Sequence, residues 1–299
     1  MYSAYESLSS MYENSYNRYI RALFAEMRRL GLVEGKSITI ERYGRETPDV
    51  TSKNTIAAIV DSKPDIIFCV GAAAVFQQAT RTIPIVALTI DAVREGLVKS
   101  LSHPGGNLTG VTFEPELPIH GKRFALLREI FPTLKSPAFL ANSGILTYYW
   151  PAAREAADAQ GMALVACPVS LPSSEAIYRE AITKAKDEGA DAIMVALDVD
   201  AVVRNALVVN LIEAAGLPAI YPFTDFVVAG GLMSYSTDLV ELNKRMASDI
   251  HAILNGTKPG DIPVYQPTKF EFYINLKTAK ALSLNVPATL LSVADMVIE

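Results

Sequence analysis

The fold of this chain is decided by the run Asp65-Ile66-Ile67-Phe68-Cys69-Val70 and by a second run of the same kind, Ile83-Pro84-Ile85-Val86-Ala87-Leu88-Thr89. Both runs are apolar at consecutive positions, which is typical of parallel strands that are covered on both faces. The segment between them, residues 73–80, is predicted to be a short helix. A strand, a helix and another strand in this order predict a parallel sheet with helices packed against it.

The same alternation extends outward from these two strands. Short β-branched or apolar runs alternate with helical segments from Ser37 onward, and glycines follow several of the helices, where a left-handed residue is wanted. The further strands are predicted at residues 37–43, 108–113, 137–141, 163–169, 192–197 and 218–221. The further helices are predicted at residues 16–30, 121–130, 150–160, 174–188, 201–215 and 239–254. The predicted fold class is therefore α/β.

Length and composition favour two globular domains. The chain has 299 residues, of which 50% are hydrophobic and 20% are charged, so each domain has enough apolar residues for its own core. The net charge of -5 and the pI near 5.4 give no basic patch for a polyanion. Nucleic acid is therefore not an expected partner.

Cysteine and histidine usage predicts neither a disulfide nor a metal site. Cys69 and Cys167 each lie in an apolar strand-like run, so we expect two separately buried thiols. His103, His120 and His251 are far apart in sequence and are expected at the surface or in caps. No G-x-S-x-G, Walker A or G-x-G-x-x-G motif occurs, so no cofactor is expected.

Two segments are candidate crossovers between domains. The proline-rich run Glu114-Pro115-Glu116-Leu117-Pro118 interrupts the alternation within residues 113–119, and a strand-like segment follows two glycines at residues 232–238. If the chain crosses at both places, several strands act as a hinge between two lobes that are discontinuous in sequence. The expected lobes are residues 1–113 plus 238–265 and residues 114–237 plus 266–299.

Two carboxylates, Asp198 and Asp200, follow a predicted strand directly. The carboxyl ends of parallel strands are where α/β folds present ligand-binding groups. Asp200 is expected to cap the helix that begins at Ala201. Asp198 has two open interpretations, a cap or a ligand contact.

Aromatic residues cluster near the same predicted edge. Tyr148-Tyr149-Trp150 follows the strand at residues 137–141, and three adjacent aromatics on a helix cannot all face one core. One of them is therefore a candidate for stacking on a ligand, with packing as the alternative. Phe223, Phe226 and Tyr235 surround the second crossover, where they either pack the hinge or touch the ligand.

One family resemblance runs along the chain. The run Gly31-Leu32-Val33-Glu34-Gly35, with Ile38-Thr39-Ile40-Glu41, resembles the LGYVEGxNIxIEYR segment of the tryptophan/tyrosine-type ABC transporter substrate-binding proteins. Further matching segments are residues 83–86, 96–98, 100–111, 121–123, 217–221, 229–235, 266–271 and 274–280.

This resemblance implies a type I periplasmic-binding-protein fold, in which two Rossmann-like lobes with parallel sheets are joined by a multi-strand hinge. It also implies a small ligand in the cleft, often an amino acid, and ABC importer membrane subunits as partners of a monomer. The location would be periplasmic or extracellular and membrane-associated, although no signal peptide is visible in this chain. The ligand positions carried over to this sequence are Gly71, Ala72, Thr89, Asp91, Asn142, Ser143, Asp198, Phe223 and Tyr235.

The chain departs from the family at three places. Gly71-Ala72-Ala73 stands where relatives often have Gly-Thr-Pro, and Asn142-Ser143 stands where many have Asn-Pro. The first strand of relatives falls in register on Ala4-Tyr5-Glu6-Ser7-Leu8, a polar segment. In that register Ser9 and Ser10 form the loop that meets the ligand.

These observations predict a solute-binding receptor of an ABC importer, which captures an amino acid or aromatic carboxylate by closing its lobes. The backbone N–H groups of Gly71-Ala72-Ala73, beside Thr89, are expected to bind the carboxylate, and Asp198 the amino group. The apolar body is expected to lie against an aromatic face of Tyr148, Tyr149 or Trp150, near Asn142-Ser143, and Tyr149 is the one included among the ligand residues. The alternative is an α/β enzyme in the same cleft, with Asp198 or Asp91 as acid or base but with no partner nucleophile.

Overall fold

The computed structural model describes residues 1–113 and 116–299, so the predicted crossover residues Glu114 and Pro115 lie outside the described part. The chain divides into two compact units, and each unit is made of two separate segments. Unit 1 contains Met1–Glu114 and Asp238–Thr268, and unit 2 contains Pro115–Thr237 and Lys269–Glu299.

Strands and helices alternate along most of the described chain, which confirms the predicted α/β class. The strands are β1 (Tyr2–Ser3), β2 (Ile67–Val70), β3 (Ile85–Thr89), β4 (Leu108–Thr112), β5 (Pro137–Asn142), β6 (Val165–Val169), β7 (Ala192–Val195), β8 (Ala219–Tyr221), β9 (Met233–Thr237), β10 (Phe270–Asn275) and β11 (Met296–Ile298). The helices are α1 (Arg18–Arg29), α2 (Lys53–Asp61), α3 (Ala73–Ala79), α4 (Glu116–Ile130), α5 (Ser143–Asp158), α6 (Glu175–Asp187), α7 (Val199–Val203), α8 (Asn205–Ala215), α9 (Thr224–Val228), α10 (Leu239–Leu254), α11 (Leu276–Ala281) and α12 (Ala288–Val293).

Unit 1 is built on a parallel sheet in the order β1-β2-β3-β4. The two strands that the apolar runs predicted, β2 and β3, lie in its middle and pair through Cys69 and Ala87, both of which are buried. Phe76 of α3 and Ile56 of α2 belong to the same core cluster. Continuous apolar sequence therefore marks the strands that are covered on both faces.

The predicted strand at residues 37–43 is wrong. This segment forms isolated bridges only, Glu34 with Ile38 and Tyr43 with Tyr2. The Tyr43 N–H donates to the Met1 carbonyl over 3.0 Å, and the Ser3 N–H donates to the Tyr43 carbonyl over 2.9 Å. Because its neighbour β1 is two residues long, the segment has too few partners for a continuous ladder.

The expected register of the first strand is also wrong. The strand lies at Tyr2–Ser3, whereas residues 4–8 leave the sheet. The Ser3 hydroxyl accepts from the backbone N–H groups of Tyr5 and Glu6 over 3.2 Å and 3.0 Å. These bonds turn the chain immediately after β1, which short hydroxyl side chains favour.

Unit 2 is built on a larger sheet in the order β11-β10-β9-β8-β7-β5-β6. Its strands pair in parallel, except that β10 runs antiparallel to β9. The carboxyl ends of β5, β7 and β8 therefore lie at one edge, where Asn142 is the last residue of β5, and Asp198 and Phe223 come soon after β7 and β8. The predicted single helix at residues 201–215 is divided at Arg204, whose φ of -105° and ψ of 24° are not helical.

The two thiols are free and buried, as predicted. Burial raises the pKa of both Cys69 and Cys167 to about 12, so neither is a reactive thiolate at neutral pH. Among the described residues, no helix combines the length and the hydropathy that crossing a bilayer requires.

The expectation that His120 lies at the surface is wrong. His120 of α4 is 1% exposed, and its ring lies edge-on to the rings of Phe139 and Tyr149 with centroids 5.5 Å away. Burial, and secondarily the charge of Arg123, lower the pKa of this imidazole to about 3. His120 is therefore a neutral member of the unit 2 core.

The buried His120 predicts that unit 2 is sensitive to acid. The unfolded chain takes up a proton on this imidazole below its ordinary pKa of 6.5, whereas the folded unit keeps it neutral down to about 3. Within that window, each fall of one pH unit lowers the free energy of unfolding by up to about 1.4 kcal/mol. Urea titrations followed by the fluorescence of Trp150, the single tryptophan and a residue of unit 2, measure this effect.

His120→Phe removes the titrating group and keeps an aromatic ring. Its free energy of unfolding should depend less steeply on pH between about 3 and 6.5 than that of the wild type. His103→Phe, at an exposed position of unit 1, is the control and should keep the wild-type slope. Equal slopes for His120→Phe and the wild type would contradict the prediction.

Candidate functional site

Three loops meet at the carboxyl edge of the unit 1 sheet. Because β1, β2 and β3 are parallel neighbours, the segments that follow them begin side by side, with Ser3 paired to Val70 and Val70 paired to Leu88. The predicted unit 1 residues all lie in or beside the segments that follow these strands, namely Ser9 and Ser10 after β1, Gly71, Ala72 and Ala73 after β2, and Thr89 and Asp91 at or just after the end of β3.

Ser9 and Ser10, the two predicted ligand residues after β1, differ in exposure. Ser10 is fully buried, and its Oγ lies 2.6 Å from Glu6 Oε2 and 2.8 Å from the Ser7 carbonyl oxygen, two acceptors that share its single hydrogen. Ser9 is exposed, with its Oγ 2.9 Å from the Ser7 Oγ. Of the two, Ser9 is the one positioned to meet a solute.

The loop after β2 has two consecutive left-handed residues, Gly71 with φ 79° and Ala72 with φ 57°. Left-handed alanine is costly and tends to persist at functional sites. Ala72 precedes α3 without capping it through a side chain. Ala73 is the buried first residue of α3, which is seven residues long.

The loop after β3 is held by two carboxylates. Asp91 Oδ1 accepts from the backbone N–H groups of Val93 and Arg94 over 3.1 Å and 3.0 Å. Glu95 Oε1 accepts from the N–H of Asp91 itself over 3.0 Å. Thr89 is buried, and its hydroxyl donates to the Val111 carbonyl over 3.3 Å. These side chains fix the loop.

In unit 2, a buried carboxylate ties together the ends of the neighbouring strands β5 and β7. Asp198 is 1% exposed and accepts from Asn142 twice, from its backbone N–H over 2.6 Å and from its Nδ2 over 2.8 Å. The Asn142 Oδ1 in turn accepts from the N–H groups of Gly144 and Ile145 at the start of α5. Asp198 therefore fixes the rotamer of Asn142, beside the exposed Ser143.

The expected cap of the helix after β7 is wrong by two residues. Asp198, rather than Asp200, caps α7, because its Oδ1 accepts from the Asp200 N–H over 3.0 Å. Asp200 lies inside the first turn, where it accepts from the hydroxyls of Ser173 and Tyr178 over 2.5 Å and 2.7 Å. The two aspartates thus hold different segments.

The aromatic candidates separate into packed and partly exposed residues. Tyr149 is 1% exposed and packs in the core against His120, so its neighbours Tyr148 and Trp150, both partly exposed, are the accessible members of the cluster. Phe223 is buried at the start of α9. Tyr235 is partly exposed and stacks on Phe270 across the sheet, with ring centroids 5.2 Å apart.

Arg123 is a structural residue of this edge that reasoning from sequence missed. It is fully buried in α4, and its Nε donates to the Tyr235 carbonyl over 2.8 Å. Its guanidinium also donates to the Pro222 carbonyl over 3.4 Å, next to Phe223. The sequence signal was the segment Gly121-Lys122-Arg123, which entered only through the family resemblance.

Among the described residues, the candidate residues line neither the main cavity of unit 1 nor a potential metal site. A cavity of about 830 Å³ in unit 1 is lined by residues such as Leu23, Met27 and Ile67, and none of the candidate residues lines it. Within residues 1–113 and 116–299, no group of three or more His, Cys, Asp or Glu side chains could hold a metal ion.

These features define the class of protein. Mainly parallel sheets in two units that are discontinuous in sequence, with candidate binding residues at the carboxyl ends of the strands, are the architecture of the type I periplasmic-binding-protein fold. The ABC domain in complex with L-Trp from Streptococcus pneumonia has this fold in common with the chain, with a TM-score of 0.84 and 22% identity over 99% of this chain and 98% of that chain.

The chain belongs to the ABC transporter substrate binding protein family, whose model matches residues 24–298. A tyrosine-binding protein of Clostridioides difficile (strain R20291) is 26% identical over 259 residues, which cover 85% of this chain and 73% of that protein. The ligand-free, open structure of a substrate binding protein with adhesive properties from Clostridium difficile has a TM-score of 0.71 and 20% identity, and covers 99% of this chain and 97% of that chain.

The Asp198–Asn142 contact predicts a stability effect for an isosteric change. In Asp198→Asn the new amide group must face an N–H donor of Asn142 or Asp200, so the variant loses a hydrogen bond and places two donors together. We expect the free energy of unfolding to fall by about 1–3 kcal/mol. Urea unfolding followed by Trp150 fluorescence measures it.

Asp187→Asn is the matched control, because Asp187 is exposed at the end of α6 in the same unit. Its free energy of unfolding should stay within about 0.5 kcal/mol of the wild type. If the two variants were equally stable, Asp198 would not hold Asn142 in the way described.

Proposed function

We propose that the chain is the solute receptor of an ABC importer and that its ligand is an amino acid with an aromatic side chain. The observation that supports this proposal is the set of side chains at the carboxyl edge of the sheet in each unit. Hydroxyl, amide and aromatic side chains lie there on loops that buried or partly buried polar groups hold in place, as Asp198 holds Asn142. The tyrosine and L-Trp named for two similar proteins support the same ligand class.

The proposed ligand residues are the set expected from the sequence, and burial divides them into two roles. Exposed or partly exposed groups contact the ligand directly, whereas the buried residues act by fixing their neighbours; these are Ser10, Ala73, Thr89, Tyr149, Asp198 and Phe223. The proposed set is Ser9, Ser10, Gly71, Ala72, Ala73, Thr89 and Asp91 in unit 1, and Asn142, Ser143, Tyr149, Asp198, Phe223 and Tyr235 in unit 2.

The proposed mechanism makes and breaks no covalent bond. Contacts that the ligand makes with both units favour a closed form, and the membrane subunits of the importer recognise that form. In this proposal the protein is a monomer outside the cytoplasm and has no enzymatic activity.

The proposed ligand class predicts the outcome of a thermal-shift screen. At ligand concentrations about 100 times the dissociation constant, L-tryptophan or L-tyrosine should raise the melting temperature by about 5 °C. Tryptamine and indole-3-propionate, which lack the carboxylate and the amino group respectively, should give smaller shifts. A shift with sugars or polyamines, and none with any aromatic amino acid, would overturn the ligand class.

A matched pair of variants connects the screen to the site. Asn142→Ala removes an amide at the carboxyl edge of unit 2 and should reduce the shift given by the ligand. Asn14→Ala, at an exposed position, should leave that shift unchanged.

Closure predicts that the ligand makes the molecule smaller. Small-angle scattering with and without saturating L-tryptophan should show a lower radius of gyration in the complex. Chromatography of the same samples should recover the ligand unaltered. An unchanged radius together with the formation of a product would instead support an enzyme.

A further inference from the structure

We propose that Tyr5 is a ligand-binding residue of unit 1, and that its ring is the flat surface on which the side chain of an aromatic ligand stacks. This inference rests on the proposed function and adds to it the residue that selects an aromatic ring. The sequence predicted Tyr5 only as part of the first strand, and not as a ligand residue.

Tyr5 is placed by the turn that ends β1. The Ser3 hydroxyl, which is nearly buried, accepts from the Tyr5 N–H over 3.2 Å and from the Glu6 N–H over 3.0 Å. Ser3 itself pairs with Val70 at the end of β2. The side chain therefore begins at the carboxyl edge of the sheet, two residues from the last paired residue of its strand.

The ring of Tyr5 lies on the backbone of Gly71. A Cβ atom added to Gly71 would come within 2.8 Å of Tyr5 Cε2 and within 3.1 Å of its Oη, which is closer than real Cβ contacts. The absence of a side chain at residue 71 is therefore what lets the ring lie there. The left-handed φ of 79° at Gly71 favours glycine at the same position.

All three loops of this edge contribute to the surroundings of Tyr5. The loop after β1 carries it, the loop after β2 supports it through Gly71, and Glu95 in the loop after β3 is its charged neighbour. Burial, and secondarily the Glu95 carboxylate, raise the pKa of the Tyr5 hydroxyl, so the ring stays neutral. Tyr5 nevertheless remains 39% exposed, which leaves ring surface open to a solute.

The other exposed tyrosines of this segment lack this arrangement. Tyr12 already stacks with a cation, because the Arg42 guanidinium lies over its ring at 4.0 Å from the centroid. Tyr16 is 77% exposed and directly precedes Asn17, the residue that caps α1. A supported and partly exposed aromatic ring is the geometry on which a second ring stacks favourably.

The test compares the wild type and four variants of the whole chain by calorimetric titration with L-tryptophan, L-tyrosine and indole-3-propionate, an aromatic compound that is not an amino acid. Tyr5→Leu removes the aromatic face but keeps an apolar side chain, so it should bind the two aromatic amino acids about tenfold more weakly. Tyr5→Phe keeps the ring and should stay within about twofold of the wild type. Tyr16→Ala is the matched control for a lost exposed tyrosine, and Tyr12→Leu tests the ring that Arg42 covers; both should bind like the wild type.

Melting temperatures of the unliganded variants distinguish a loss of binding from a loss of folding. The ring of Tyr5 is partly exposed and is not part of the core, so the variants should melt close to the wild type. If Tyr5→Leu binds tryptophan as tightly as Tyr16→Ala does, the role of Tyr5 is overturned and the proposed function stands. If the wild type binds only aromatic compounds other than amino acids, and Tyr5→Leu weakens them, the amino acid ligand is overturned and Tyr5 keeps its role. If the wild type binds no aromatic compound, both proposals are overturned.

Discussion

Parallel pairing of neighbouring strands is the constraint on which the rest of each unit depends. It brings the carboxyl ends of consecutive strands to one edge, so residues far apart in sequence, such as Tyr5 and Gly71, become neighbours. It also leaves every strand followed by a loop that the sheet itself does not fix. Ser3 and Asp198 hold the chain in place where a strand ends. Each is a nearly buried side chain that accepts a hydrogen bond from a backbone N–H group at or just after the end of a strand.

The sequence alone predicted the strands that are buried on both faces. The runs around β2 and β3 are apolar at consecutive positions, and the structure confirms both strands within two residues at each end. The segment 37–43 has a similar β-branched composition but forms no strand. Whether this segment forms a strand depends on its neighbour β1, which is only two residues long. The length of β1 cannot be inferred from residues 37–43 themselves.

The sequence predicted where the candidate site lies, but it did not predict what each of its residues does. Strand ends located Asn142 and Asp198, yet only burial shows that the carboxylate holds the amide in position. In the same way, Tyr149 is buried in the core, whereas Tyr148 and Trp150 are partly exposed. The chemical type of a side chain determines what it can bind, whereas the burial of that side chain determines whether a solute can reach it.

One buried titratable group in each unit changes stability in acid, and the two changes have opposite signs. In unit 1, Asp249 of α10 is 2% exposed, and burial raises its pKa to about 7 although Arg245 Nε lies 3.2 Å from Oδ1 and opposes the shift. The folded unit therefore binds this proton more tightly than the unfolded chain, and the stability it contributes is lost as the pH rises from 3.8 to about 7. His120 in unit 2 contributes in the opposite direction over nearly the same range. Acid therefore acts on the two units in opposite directions through these two groups, because protonation of Asp249 favours folded unit 1 whereas protonation of His120 favours unfolded unit 2.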